Sequence, residues 1–324
     1  MTVWIARRII QSIFILIAMT AIIFLAVNVI GDPVETLVNP EATQAERQRL
    51  IEFYGLDQPL PLQYVAFVKG VLQGDLGTSY VYGESAIKVI LSRMPATLEL
   101  ATSTMVLSVL LGVPLGLYSG LRPNALGSRV IMGGSILGFS LPSFWTGLLL
   151  IMVFAVYLRW LPATGRGETI EIMGIGWSFL TRDGLSHLAL PVATLSIYMS
   201  TFVMRLTRAG VEEVVPQEYV QFARAKGLRE SRILRVHVLR NIMITLVTVI
   251  GLEFATLIAF TVVTETIFAW PGMGKLIIES IEKLDRPVIV AYLMIVVVLF
   301  VTVNLLVDIL YTLLDPRIRI GGSV

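Results

Sequence analysis

The 324-residue chain contains no cysteine, which excludes disulfides and thiolate metal ligands. Histidine is nearly absent too: His187 and His237 lie fifty residues apart and cannot by themselves form a metal site. Charge is scarce. Asp, Glu, Lys and Arg make up 15% of the residues, against about 25% in soluble domains. Catalytic signatures are missing as well. "GFSLP" around Ser140 is not a G-x-S-x-G elbow, and no H-E-x-x-H occurs. "GMGKL" from Gly272 to Leu276 brushes the phosphate-loop pattern, but Ala269 stands where its first Gly belongs and Leu276 where Ser or Thr would hold magnesium. ATP chemistry is therefore not expected on this chain, and an intramembrane protease would have no evident nucleophile or metal here.

Long apolar runs fill the space that charge leaves. A bilayer span needs about 20 mostly apolar residues. Six stretches qualify: Ile9 to Ile30, Ala96 to Leu121, Val130 to Leu158, Gly184 to Met204, Ile242 to Phe268 and Pro287 to Val307. The third is long enough to tilt or break. The first follows Arg7 and Arg8 but exceeds a signal-peptide core of about 7–15 residues, and no A-x-A site follows it. It reads as a retained helix.

Six spans put both termini on one side. That side receives 14 of the 25 Lys and Arg residues and only five acids, Glu212, Glu213, Glu218, Glu230 and Asp315. The positive-inside rule makes it cytoplasmic. Four acids fall in or at the ends of spans: Glu99, Glu253, Glu265 and Asp308. Charge in lipid is costly, so such acids invite a functional reading. Glu253 is the deepest. It either faces a polar pathway, where it could touch a substrate amine or cation, or bonds a neighbouring helix. Glu99 and Asp308 read as interfacial. Glu265 precedes "IFAWPGMG", whose Trp270 suits an interface anchor.

The stretches between spans differ in kind. Gly31 to Met94 is long enough to fold: "EATQAERQRLIEFYG" and "PLQYVAFVKGVLQG" both read as helices. Arg159 to Asp183 is rich in Gly and reads as irregular. Within spans, "GVPLG" sets Gly112 and Gly116 four apart, and "GSILG" does the same with Gly134 and Gly138. Small residues at that spacing let helices approach closely; flexing of a moving helix is the other reading.

The densest positive charge sits on "EYVQFARAKGLRESRILRVHVLRN", Glu218 to Asn241, with six Lys and Arg against two Glu. Pro216 suits the first turn of a helix, and Gly227 suits the left-handed position just past a helix end. The loop reads as two short helices joined near Gly227, the second running into the fifth span. A DNA-binding helix-turn-helix is disfavoured, because both ends enter the membrane within about ten residues, a reach too short for a duplex. Lipid-headgroup contact and docking of a cytoplasmic partner stay open together on these grounds.

That stretch resembles the cytoplasmic EAA loop of ABC importer permeases, in the form of the dipeptide/oligopeptide/nickel branch. "FYGLDQPLPLQYVAFVKGVLQGDLGTSY", "RMPATLELA", "TETIFAWPGMGKLIIESIEKLDRPVIVAYLMIV" and "DILYTLLDPRIR" are similar to the same branch, so the likeness covers nearly the whole chain. Gln221 stands where the general pattern has Glu, and Thr245 near the place of a Pro. The resemblance implies an all-α, six-span type I ABC importer permease fold in a bacterial inner membrane. It implies a first helix with an extracytoplasmic segment (1–94), a permease core (95–313) with its coupling loop at 211–241, and a cytoplasmic tail (314–324). It implies ATPase docking through Glu218, Tyr219, Phe222, Ala223, Arg224, Ala225, Lys226 and Gly227, with Glu253 and Glu265 as pathway or gate candidates. The implied partners are a second homologous permease, two ATPase subunits, an extracytoplasmic solute-binding protein and membrane lipid, with no nucleic acid and no cofactor or metal. Short peptides are the implied cargo. The competing reading is an ion- or proton-coupled secondary transporter or channel with Glu253 and Glu265 as carriers.

Overall fold

The structure, a computed structural model, describes residues 2–29, 44–45, 48, 52 and 57–314. It is helical apart from one short hairpin. The helices are α1 (Thr2–Val29), α2 (Leu60–Gln73), α3 (Ala86–Leu121), α4 (Leu126–Ser140), α5 (Ser143–Leu150), α6 (Arg182–Val214), α7 (Glu218–Ala225), α8 (Arg240–Ile267), α9 (Met273–Glu282) and α10 (Arg286–Leu314). Ile151–Tyr157 continues α5 as a π-helix, and Glu230–Arg232 with π-helical Ile233–Leu239 leads into α8. Among the described residues five helices are long and apolar enough to cross a membrane, and the bent pair α4–α5 passes the same test when taken together, which makes six if the pair is one span.

Local chemistry favours the bend between α4 and α5, although Pro95, Pro114 and Pro191 sit inside continuous helices. Pro142 has no N–H to continue α4, and it disfavours helical backbone at the residue before it. Leu141 therefore sits extended at ψ 129. The two halves meet at 105°. Other spans run longer than their apolar cores predict. The second begins at Ala86 and the fourth extends to Val214, because polar helix ends need not lie in lipid.

The chain divides into two compact units. The first holds residues 1–94 and 276–302. There α2, one of the two helices expected between the first and second spans, packs on α1. Phe24 meets Tyr64 at 5.4 Å and Phe67 at 5.7 Å, and the Tyr64 and Thr20 hydroxyls lie 2.9 Å apart. Ile23 joins Val290 and Met294 in a small core. The Asp285 carboxylate accepts from the Ser79 hydroxyl and, at 3.2 Å, from the Tyr80 N–H, pinning the turn before α3. The other expected helix, in "EATQAERQRLIEFYG", falls mostly outside the described residues, as does the tail from Asp315.

The second unit holds residues 95–275 and 303–324, with α6 at its centre. Within its apolar window 61% of α6 is buried, against 17% for α1. Gly112, Gly116 and Gly120 of α3 lie so close to α6 that a Cβ on Gly112 would stand 2.8 Å from Val203, and one on Gly120 2.7 Å from Val211. The first small-residue pair is thus a packing seam. The second is split: Gly138 faces Ile197, whereas nothing lies within 4 Å of where Gly134 would carry a side chain.

Candidate functional site

The basic loop is a braced helix. Pro216 does not open α7 as its type suggested; it lies in the tight turn between α6 and α7, and Gln217 is the cap residue. At the other end Gly227 has φ 74. Its N–H donates to the Arg224 carbonyl at 2.9 Å, and the Leu228 N–H to the Ala223 carbonyl at 3.3 Å. That paired pattern is the Schellman motif, which needs a left-handed residue at the Gly227 position. Val220 and Ala223 turn inward to a cluster with Val211, Ile233, Val238, Ile242 and Leu246. The cluster ties α7 to the foot of α8.

The eight docking candidates therefore divide. Glu218, Tyr219, Phe222, Ala225, Lys226 and Gly227 are exposed, and Arg224 is half-buried. Ala223 is 4% exposed and takes no part in that outer face. Phe222 is 61% exposed with the Lys226 ammonium 4.5 Å from its ring centroid. Arg224 pairs with Glu230 across the turn at 2.9 Å. Asn241 donates to the Tyr219 hydroxyl at 2.7 Å, joining α7 to the start of α8.

The intramembrane acids separate just as sharply. Glu265 is fully buried and accepts from the Thr97 hydroxyl at 2.7 Å and the Lys275 N–H at 3.0 Å. Thr97 in turn accepts from the Met273 N–H at 2.8 Å. Lys275 and Met273 are in the first turn of α9, whose amides have no partners within the helix. Glu265 and Thr97 supply them, with Gly272 and Gly274 giving room for the carboxylate. Trp270, expected as an exposed interface anchor, is instead buried and donates to the Ala96 carbonyl at 2.9 Å.

Glu99, read as interfacial, is buried in a complete network. One oxygen accepts from the Ser178 and Phe179 amides at 2.7 and 3.0 Å. The other takes Arg166 through two nitrogens at 3.0 and 2.6 Å. Arg166 also donates to the Gly176 carbonyl at 2.6 Å and lies 5.7 Å from the Trp270 ring centroid. The segment held this way is a hairpin, β1 (Ile170–Ile172) with β2 (Ile175–Trp177), where the Gly content suggested irregular chain. Met173 and Gly174 both have positive φ, as a two-residue type I′ turn requires. Sequence reasoning missed Arg166, Thr97 and the hairpin. Met-Gly is a poor I′ signal, and Arg166 lies 67 residues from its partner.

Glu253 is the exception. It is half-buried, the fourteenth residue of α8, and none of the described residues bonds or pairs with it. It lines a cavity of about 370 Å³ with Phe139, Tyr198, Thr256 and Phe260. Leu141, Pro142 and Ser143, the break between α4 and α5, form one wall. Phe139 and Tyr198 stack at 5.2 Å, and the Arg205 guanidinium lies 5.7 Å from the Phe139 ring.

A bundle of long apolar helices with one bent pair, a mid-span carboxylate without a partner among the described residues and a braced basic loop defines a polytopic membrane protein. The chain belongs to the family described as binding-protein-dependent transport system inner membrane component, which matches residues 112–320. The corresponding N-terminal family matches residues 1–101. Among its relatives, the oligopeptide transport system permease protein AppB of Bacillus subtilis is 39% identical over 98% of this chain and 100% of its own. The di/tripeptide transport system permease protein DppB of Pseudomonas aeruginosa is 38% identical over 98% of each chain. The dipeptide transport system permease protein DppB of Escherichia coli K12 is 34% identical, again over 98% of each. The fold matches a chain of the inward-facing MetNI methionine ABC transporter at a TM-score of 0.55 and 16% identity, covering 70% of this chain and 96% of that one. The fold is that of an ABC importer permease.

Proposed function

We propose that this chain is one permease subunit of an ATP-driven importer of short peptides. It would line half of the pathway beside a second, homologous permease. Two ATPase subunits would dock on the basic loop, and a solute-binding protein would deliver cargo from outside. Both termini and the loop would lie in the cytoplasm, as the charge bias favours. Residues 1–94, 95–313 and 314–324 would serve as outer segment with first span, permease core and tail.

The braced exposed face of α7 carries the proposal. Tyr219, Phe222, Ala225 and Lys226 are offered outward, while Val220 and Ala223 lock the helix to the base of α8. A displacement of α7 would therefore move α8, which carries Glu253, as one body. That rigidity is what coupling needs and lipid binding does not. Near-full-length likeness to named peptide permeases supports the cargo class. Lipid would still contact the loop's cations.

The test uses the complete complex in proteoliposomes with trialanine as probe. Ala225→Trp enlarges the exposed face without entering the chain's core. It should lower ATP-driven uptake at least about tenfold and weaken retention of the ATPase subunits, as loss of an interface anchor does. Full uptake with the ATPases retained would leave only lipid contact for the loop. Uptake driven by an ion gradient without ATP would favour the secondary-transporter reading.

A further inference from the structure

Of the four acids in or at the ends of the apolar spans, Asp308 makes an interaction of its own, and two others are accounted for. Glu99 and Glu265 each have both oxygens or the whole carboxylate engaged by amides, a hydroxyl or a guanidinium. Glu253 has no such partner among the described residues, although it stands midway along an apolar helix. An unpaired carboxylate facing acyl chains is strongly unfavourable, so intramembrane acids turn to a protein interior or a water-filled cavity. The cavity beside Glu253 meets that requirement. Its volume of about 370 Å³ falls within the range of small-ligand sites. One wall is non-helical backbone at Leu141 and Pro142. At membrane depth such backbone is tolerated where it is packed in protein or lines a cavity. The rest of the lining is mostly apolar and aromatic, and Phe139, Tyr198 and Phe260 share it with Glu253. One carboxylate in an aromatic-rich lining suits a cation, and an organic ammonium above all, because its charge meets the carboxylate while its C–H groups pack on apolar and aromatic side chains. Inorganic cations want several oxygen ligands, carboxylates and carbonyls above all, whereas the side chains of this lining add to the one carboxylate only the neutral hydroxyls of Ser143, Tyr198 and Thr256.

We propose that Glu253 and the aromatic walls of this cavity form a transient subsite for the free ammonium group of a peptide in transit. This rests on the peptide-permease reading above. The subsite acts after the solute-binding protein has released its cargo. Removing the carboxylate should therefore lower the maximal rate of uptake and leave the concentration for half-saturation of the binding protein unchanged.

The experiment uses the complete importer in proteoliposomes with saturating solute-binding protein and trialanine. Glu253→Gln keeps shape and removes charge. The maximal uptake rate should fall about tenfold, the loss of one charge-assisted hydrogen bond, with both ATPase subunits and the second permease still co-purifying. Thr256→Lys places a tethered ammonium one turn from Glu253 on the same helix face. It should occupy the carboxylate and block trialanine uptake while the complex stays assembled. Unchanged uptake in Glu253→Gln would overturn the proposal. So would loss of the second permease from the complex, which would mean that the carboxylate pairs with a cation of that chain. Failure of the unaltered complex to carry trialanine would instead overturn the peptide reading itself.

Discussion

Single residues decide how the basic loop and the α9 cradle hold. Gly227 is needed for its backbone and not for lack of room: nothing lies within 4 Å of a Cβ there. Gly227→Val should therefore cost only the left-handed penalty, about 1–2 kcal/mol, read as a modest fall in the thermal midpoint of the detergent-solubilised chain. Ala223 behaves differently. At 4% exposure it packs beside Val220 and Ile233, so Ala223→Trp would overfill that cluster. Any transport defect from it would report a disturbed loop, which makes Ala225 the cleaner probe of docking. Glu265→Gln should be severe for stability. An amide keeps one oxygen acceptor where Thr97 and Lys275 both donate, and a buried donor left unmatched costs about 1–3 kcal/mol. Gly272→Ala should be at least as damaging, because its Cβ would collide with the Glu265 carboxylate. Folded yield after extraction checks both.

At the scale of elements, the hairpin depends on Glu99 and Arg166. The Glu99 side chain is wholly buried and Arg166 is 16% exposed. Arg166→Ala would strand a carboxylate with its charge partner gone, a lesion of about 3–5 kcal/mol. Protease sensitivity within residues 170–177 should rise in that variant. The double change Glu99→Gln with Arg166→Met should recover much of the loss, since the uncompensated charge is gone. Normal protease resistance in Arg166→Ala would mean that the Ser178 and Phe179 amides alone hold the carboxylate. The broken third span answers to a different cause. Pro142 disfavours helical backbone at Leu141, but Pro95, Pro114 and Pro191 lie inside continuous helices, so the bend is favoured locally and completed by packing, and the cavity beside Glu253 uses it as a wall.

For the whole molecule, orientation is the consequence most open to test, and the absence of cysteine makes the test clean. Met173, at the hairpin tip, is 96% exposed, and Lys226, on the basic loop, is exposed too. With both termini inside, Met173→Cys should react with a membrane-impermeant maleimide on intact cells. Lys226→Cys should react only after the membrane is opened. The reverse pattern would invert the topology drawn from the charges. Replacing a single loop cation should not change the outcome, because the positive-inside bias sums over many residues.

The apolar spans, the α2 helix and the Gly227 turn were all legible in sequence, because each follows from a local rule. Apolar length sets a span, helical spacing of apolar residues sets a helix, and a positive φ calls for Gly. The basic loop stood out for the same reason, as a charge anomaly between apolar runs. Tertiary structure decided what the buried polar groups do. Glu99, Glu253 and Glu265 look alike along the chain, yet one clamps a hairpin, one caps the start of α9, and one is left facing a cavity. Their partners, Arg166, Thr97 and the first amides of α9, lie from 10 to 168 residues away from the acids they meet. Which face of α7 turns outward was likewise set by packing, since Ala223 and Ala225 differ only in what the fold puts beside them. A carboxylate's role depends on the donors that surround it, and only the folded chain brings those donors to hand.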